Sequence, residues 1–132
     1  MNKYAFLLFP LLSACVSFDP AKLEQAAGPY PANYRQLSLQ YLKKSLIDPY
    51  SVRDAEIAKP VARPSWMMTD PSPGWVVCWR ANAKNTMGGY TGVTVSRIFI
   101  RNGVAKYSDS GSAPNYDTDG AYSAWPELED LQ

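Results

Sequence analysis

The sequence predicts an α+β domain in which one N-terminal helix packs on a small antiparallel sheet of about four strands, followed by a disordered acidic tail. Three observations support this fold class. Apolar residues recur at helical spacing between residues 32 and 46. Apolar or alternating runs separated by turn residues then follow between residues 52 and 107. Residues 108–132 are rich in Ser, Gly, Asp and Pro, a composition typical of disorder.

The composition limits the kinds of function that the chain can have. It has 132 residues and a net charge of +1, which allows one domain and gives no sign of a nucleic-acid partner. Histidine is absent, so the commonest general base and the commonest metal ligand are missing. The sequence also has no phosphate-binding glycine loop and no zinc ligand set. We therefore predict a protein that is not an enzyme and uses no cofactor or metal.

The first 14 residues have the three parts of a secretory signal peptide. Lys3 supplies a positive charge, an uncharged and mostly apolar run extends from residue 4 to residue 12, and small residues follow. The apolar run is about half of the roughly 20 residues that a membrane-spanning helix needs. The pattern therefore favours a cleaved signal over a permanent transmembrane helix.

The segment Leu12-Ser13-Ala14-Cys15 resembles the lipobox of bacterial lipoproteins. The resemblance implies cleavage after Ala14, diacylglycerol on the sulfur of Cys15 and acylation, for example with palmitate, of the new N-terminus. Two or three acyl chains anchor a protein stably to a membrane, whereas one chain is marginal. Val16 and Ser17 follow, and the absence of Asp at the first of these positions favours the outer membrane, with the domain facing the periplasm. The alternative is an ordinary signal peptide with a chance cysteine.

Residues 15–31 are predicted to be a lipidated tether, with a brief helical turn at residues 21–27, because Pro, Gly and small polar residues dominate. A helix is expected over residues 32–46, since Pro31 suits its first turn and Asn33 can cap it. Its apolar stripe contains Tyr34, Leu37, Tyr41, Leu42 and Leu46. We expect this stripe to face the core, and a partner-binding surface is the alternative.

Four strands are predicted, at residues 52–58, 75–83, 90–101 and 104–107. The second strand should place Trp75, Val77 and Trp79 on one face and Val76 and Cys78 on the other. Cys78 is then expected to be a small buried hydrophobe, with a reactive thiol as the alternative. The pair Asn102-Gly103 is the strongest hairpin signal, because both central positions of a type I′ turn need positive φ.

The proline-rich segment 59–73 is predicted to be a loop. Trp66, Met67 and Met68 lie in its middle, and we expect them to fold back and cover the sheet. The alternative is an exposed apolar tip that inserts into a partner or a membrane.

Two motifs resemble a family of small exported bacterial domains. They are Leu46-Ile-Asp-Pro-Tyr-Ser51 and, after Val77-Cys78, Asn82-Ala-Lys-Asn-Thr-Met-Gly-Gly-Tyr-Thr-Gly92. The similarity covers about residues 35–107. It implies an exported domain with this hairpin, and it implies no mechanism because the family has no established activity.

The second motif contains the most distinctive candidate site, a loop of amides, one ammonium group and a phenol. Its members are Asn82, Lys84, Asn85, Gly88, Gly89 and Tyr90. These groups can bind a polar ligand such as a glycan or a peptide. The alternative is that the two asparagines hydrogen-bond the loop backbone and the glycines serve only the turn.

Charge is divided unevenly along the chain. Residues 30–107 carry eleven basic and four acidic side chains, and residues 108–132 carry six acidic and no basic ones. The tail is either a mask over a basic site or a solvated segment whose charges are screened. Residues 115–120 resemble the start of a calcium-binding loop, but Pro126 occupies the place of the required carboxylate, so no metal site is predicted.

These features predict a membrane-anchored envelope lipoprotein whose non-enzymatic periplasmic domain binds another envelope component, most simply an envelope protein. The alternative is a module that binds cell-wall glycan or peptide through the loop at residues 82–90.

Overall fold

A computed structural model describes residues 19–110 and 121–131, so the signal segment and Cys15 lie outside the described residues. Its α-helices are α1 (Pro20–Ala27), α2 (Tyr34–Ser45) and α3 (Pro126–Glu129), and a short 3-10 helix covers Pro49–Ser51. Its strands are β1 (Arg53–Ala58), β2 (Val61–Arg63), β3 (Gly74–Asn82), β4 (Thr94–Arg101), β5 (Val104–Ser110) and β6 (Tyr122–Ala124).

The six strands form one antiparallel sheet in the order β5-β4-β3-β1-β6, and β2 pairs with the first residues of β3. The α+β class is confirmed. The expected four strands and single helix are wrong, since the described residues contain six strands and three α-helices. Two of the missed elements, β6 and α3, lie in the segment predicted to be disordered. A third, β2, is only three residues long and lies between Pro60 and Pro64.

Helix α1 occupies part of the segment predicted to be a tether. The carboxylate of Asp19 accepts a hydrogen bond from the amide of Ala21 at 3.1 Å, which caps the helix. Ala27 is fully buried in the core at the other end. Gly28 then ends α1 with φ 83°, and its carbonyl accepts a hydrogen bond from Nε1 of Trp75 at 3.1 Å. The folded domain therefore begins at α1 and not at α2.

Helix α2 covers residues 34–45 of the predicted 32–46 and packs its apolar side on the sheet, as expected. Leu42 and Ser38 are its fully buried residues, and the tyrosines and other leucines of the stripe are half-buried. Ser38 was not expected in the core. It lies one turn before Leu42, on the same side of the helix.

The two faces of the sheet carry separate apolar clusters. Trp75, Val77 and Trp79 of β3 face the helices, and Val76 and Cys78 face the opposite way. The alternation predicted for this strand is therefore confirmed. The following strand begins at residue 94 instead of the predicted 90, because the residues between belong to an irregular loop.

The face away from the helices is covered in part by the loop between β2 and β3. Trp66 packs edge-to-face on Phe99 and Tyr107, with ring centroids 5.7 and 4.9 Å apart. The guanidinium of Arg97 lies 3.9 Å from the Trp66 ring centroid. Met68, in contrast, is 98% exposed. The covering prediction is therefore confirmed for Trp66 and wrong for Met68, and Met67 is 40% exposed.

The segment at residues 121–131 is folded, so the predicted disorder of residues 108–132 is wrong for this part. Trp125 and Leu128 are fully buried, and the Trp125 ring lies 6.3 Å from that of Trp79 in an edge-on arrangement. Strand β5 also continues to Ser110. Residues 111–120, with the calcium-like run, lie outside the described residues.

Acidic side chains of this segment bind to the rest of the domain. The prediction of disorder failed here because it took these acidic residues to be solvated. Glu127 forms a two-point contact with Arg35, with N···O distances of 3.2 and 2.9 Å. Glu129 accepts a hydrogen bond from the amide of Ala55 at 2.6 Å. The amide of Trp125 donates to the carbonyl of Ala55 at 2.8 Å. The segment thus completes the sheet edge at β1.

Candidate functional site

A cleft of about 420 Å³ opens where β3 ends and β4 begins. Its walls come from the last turn of α2 and the residues after it, from the β3–β4 loop (residues 83–93) and from the ends of β4 and β5. Leu42, Trp79 and Ala81 supply apolar surface. The cleft lies where α2 ends at Ser45 and the chain continues through the 3-10 helix to β1.

Several polar side chains line this cleft. The hydroxyls of Ser45, Thr91, Thr94 and Ser96 hydrogen-bond to no other side chain or backbone group within the described part of the chain. The indole Nε1 of Trp79 is buried and also lacks a partner among the described residues. Ser45, Thr91 and Thr94 are exposed, so their hydroxyls are open to water or a ligand, whereas Ser96 and the indole Nε1 of Trp79 are buried, where polar groups usually have partners.

The side-chain oxygens of both asparagines in the predicted site accept hydrogen bonds from the loop itself. The side-chain oxygen of Asn85 accepts hydrogen bonds from the amides of Met87, at 2.9 Å, and Gly89, at 3.1 Å. The side-chain oxygen of Asn82 accepts from the amide of Gly92 at 3.2 Å. Gly88 has φ 78°, a conformation that favours glycine. The contacts agree with the alternative in which asparagines and glycines build the turn.

Tyr90 and Lys84 join this loop to the 3-10 helix. The hydroxyl of Tyr90 donates to the carbonyl of Ser51 at 2.8 Å, and the amide of Lys84 donates to the Ser51 hydroxyl at 3.0 Å. The guanidinium of Arg53 lies 3.7 Å from the Tyr90 ring centroid, and the ammonium of Lys84 lies 5.7 Å from it. Within residues 19–110 and 121–131 neither cation has a carboxylate partner. Both charges are therefore available to an acidic partner.

The structure brings together only part of the predicted site. Lys84 and Asn85 line the cleft, while Asn82, Gly88, Gly89 and Tyr90 shape the loop beside it. Sequence reasoning missed the hydroxyls at residues 94 and 96 because they lie within a strand whose neighbours are apolar. The available signal was the alternation along β4, which places both hydroxyls on the same face of the sheet as the buried Ile98 and Ile100.

Three large apolar side chains remain exposed at the same end of the domain. Ile47 and Tyr50 are each 72% exposed, and Met87 is 92% exposed. Ile47 lines the cleft, Tyr50 lies in the 3-10 helix that is bonded to the loop, and Met87 lies at the loop tip. We refer to residues 45–51 and 83–94 as the cleft end of the domain.

Cys78 lies on the face of the sheet that is turned away from the helices. Burial raises the pKa of its thiol, although the nearby positive charge of Arg97 acts in the opposite direction. A thiol with a raised pKa is a weak nucleophile at neutral pH. Its environment is that of a core residue.

No helix within the described residues has the length and hydrophobicity to cross a bilayer. The same residues contain no group of three or more acidic or cysteine side chains placed to hold a metal ion.

In comparisons with known proteins, no family model matches the chain, and no curated protein or solved structure is significantly similar to it.

Proposed function

We propose that this chain is a membrane-anchored bacterial envelope lipoprotein whose non-enzymatic domain binds another envelope protein through the cleft end. The observation that carries the proposal is the exposure of Ile47, which lines the cleft, and of Tyr50 and Met87, which lie in the two segments that form the cleft end. Apolar groups that stay exposed together are characteristic of interaction sites. Aromatic residues and Met are also enriched in the cores of protein interfaces.

The charges at this end indicate the chemistry of the partner. Arg53 and Lys84 have no carboxylate partner in the described part of the chain, and both lie beside the Tyr90 ring. A partner that places an acidic side chain against them gains charge-assisted hydrogen bonds. The partner surface that fits is therefore apolar at its centre with at least one carboxylate.

The anchor in this proposal is Cys15. Support comes from the lipobox-like segment and the preceding apolar run, and the outer membrane facing the periplasm is the proposed location. The residues around Val16 give the sorting argument, and they lie outside the described residues.

A photocrosslinking experiment tests the partner site. A benzophenone amino acid replaces Met87 in the tagged, full-length protein, and crosslinked products are identified by mass spectrometry after irradiation of cells. The matched control places the same amino acid at Met68, which is equally exposed but precedes β3 at the other end of the sheet. We expect one dominant protein product from position 87 and none from position 68. Identical products from both positions, or none from either, would contradict the proposal.

A second candidate function is binding of cell-wall glycan or peptide in the cleft. It is favoured by the hydroxyls of Ser45, Thr91, Thr94 and Ser96, whose hydrogen-bonding capacity is unused among the described residues. Titration of the purified domain with muropeptides tests it, with Thr94→Val as the variant and Thr69→Val, in the β2–β3 loop, as the control. Binding that is lost only in Thr94→Val supports this function. The absence of binding to the unmodified chain excludes it.

A further inference from the structure

We propose that the anchored domain sits with the α1 end against the bilayer and the cleft end directed away from it. The proposal rests on the proposed lipidation of Cys15 and adds an orientation to it.

The connection between anchor and domain is short. Because α1 packs on the sheet and is capped by Asp19, the domain begins four residues after Cys15. Four peptide units span at most about 14 Å when fully extended. The first turn of α1 therefore stays within about that distance of the lipid headgroups, whatever the conformation of the residues between.

Helix α1 lies at the opposite end of the sheet from the cleft. It packs on β2 and on the first residues of β3. The residues that follow it contact Trp75 near the beginning of β3, through the carbonyl of Gly28 and the ring of Tyr30, whose centroid is 5.0 Å from that of Trp75. A Cβ on Gly28 would lie 3.0 Å from Oδ1 of Asn102, in the β4–β5 turn. These contacts place α1 where β3 starts and where β4 ends.

The cleft lies where β3 finishes, lined by Ala81 and Lys84. The nine residues from Gly74 to Asn82 give a separation of roughly 26 Å along the strand, at about 3.3 Å per residue. Turning the cleft towards the bilayer would lift the end of the sheet that carries α1 by roughly this distance. The connection to Cys15 is too short by about half, so the cleft cannot face the membrane that holds the anchor.

This orientation restricts how the cleft is reached. A partner must approach from the aqueous side, through the space between the membrane and whatever lies beyond it. Lipid of the anchoring membrane is excluded as an occupant of the cleft, even though Ile47, Tyr50 and Met87 are apolar and Lys84 is basic.

Fluorescence quenching in vesicles tests the orientation. Met68→Cys and Met87→Cys are made separately in the full-length, lipidated protein and labelled with an environment-sensitive dye. The labelled proteins are reconstituted into phosphatidylethanolamine–phosphatidylglycerol vesicles that contain a headgroup spin-labelled lipid. The two positions have similar exposure, 98% and 92%, and lie at opposite ends of β3, so they form a matched pair. Cys78 is buried and is not expected to take up the dye.

We expect strong loss of fluorescence at position 68 and little loss at position 87. Equal quenching, stronger quenching at position 87, or no quenching at either position would overturn the orientation. Measuring the intact mass of the protein and its flotation with vesicles distinguishes a wrong orientation from a missing lipid anchor. A chain that gains no lipid mass and does not float with vesicles overturns the proposed anchoring, and the orientation falls with it.

Discussion

The hydroxyl of Tyr90 donates a hydrogen bond to the main-chain carbonyl of Ser51 at 2.8 Å, across 39 residues of sequence. This bond joins the β3–β4 loop to the 3-10 helix, and the loop and the helix together form the cleft end. Together with the bond from the amide of Lys84 to the Ser51 hydroxyl, it holds the loop beside the segment that carries Ile47 and Tyr50.

Replacing Tyr90 with Phe removes this hydrogen bond and keeps the ring beside Arg53. We expect the free energy of unfolding to fall by about 0.5–1.5 kcal/mol, the usual contribution of one hydrogen bond. Amide exchange in residues 83–93 should accelerate more than exchange in β3. Tyr50→Phe is the control, because that side chain is largely exposed. Unchanged exchange in the loop would show that Tyr90 does not hold it.

Trp125→Ala should be strongly destabilising, because the indole is fully buried beside Trp79. Truncation of a buried Trp typically costs about 3–5 kcal/mol. Urea unfolding followed by circular dichroism measures this loss. Tyr50→Ala, an aromatic truncation at an exposed position, should change stability by less than about 0.5 kcal/mol. Similar stability in the two variants would mean that residues 121–131 do not belong to the core.

Gly74→Ala should destabilise the domain although the backbone there suits any residue. A Cβ at this position would lie 2.3 Å from Cζ of Phe99, whose ring is buried and stacked on Tyr107. Overpacking of this kind costs about 1–3 kcal/mol. Gly89→Ala is the matched control, since the nearest atom to its Cβ is 3.9 Å away. Thermal unfolding of both variants checks the prediction, and equal melting temperatures would contradict it.

The contact between Arg35 and Glu127 predicts a pH-dependent contribution to stability. The hydrogen bond from Arg35 lowers the pKa of Glu127 below its ordinary value of 4.5. A lowered folded-state pKa stabilises the protein above the ordinary value, and this contribution is lost as the pH falls through the folded-state pKa. Because Glu127 is half exposed, solvent screening limits the effect to about 0.2–1 kcal/mol.

Denaturation of the unmodified chain and of Glu127→Gln at a series of pH values measures this contribution. We expect the variant to be less stable at pH 7 and the difference to shrink on acidification well below pH 4.5. Lys22→Gln serves as a control for the change of one charge, because Lys22 is exposed and forms no ion pair with another described residue. A difference that grows on acidification would contradict the assignment.

Cys78 should be inert in the native protein, since burial raises the pKa of its thiol. We expect no reaction with a soluble disulfide reagent at pH 7 in the Cys15→Ser chain, and complete reaction after denaturation. Rapid reaction of the native chain would reopen the alternative of a reactive thiol. Labelling at increasing urea concentration also shows how much of the domain must unfold before the thiol becomes reactive.

The sheet was predictable where side chains alternate in one strand. For residues 75–79 of β3, the predicted division of side chains between the two faces of the sheet is correct, because the pleat places successive residues on opposite sides. The start of β4 was not predictable from the same rule. Val93 and Val95 continue the apolar alternation, yet both side chains are at least half exposed. Strand β4 begins between them, at Thr94, because Gly92 has φ 98° and belongs to the loop.

The folded structure of residues 121–131 was not predicted, because the acidic composition of the segment was given more weight than the spacing of its apolar residues. Trp125, Leu128 and Leu131 recur every three residues and Pro126 follows the first of them, a pattern that indicates a short helix with an apolar side. Six acidic residues in the same region favoured disorder instead. The contacts of Glu127 and Glu129 with groups in α2 and β1 depend on tertiary structure, so no local rule reveals them.

The sequence predicted where the candidate site lies but not which of its side chains remain available to a ligand. The motif that contains Lys84 and Asn85 does lie beside the cleft. Whether an asparagine bonds its own loop or remains available depends on backbone geometry, which the residue types alone do not specify. The exposure of Ile47 likewise follows from how α2 ends.

The position of Trp125 in the sequence has a consequence for how the chain acquires its structure. Its indole fills the core against Trp79, and Ala55 bonds both to its amide and to Glu129, 74 residues further along the chain. Residues 121–131 are synthesised after β1 to β5, so the core stays incomplete until translation has passed Trp125. Contacts this distant in sequence also slow folding. A chain that ends before residue 121 therefore lacks two fully buried side chains, Trp125 and Leu128, and with them part of the core on the helix side of the sheet.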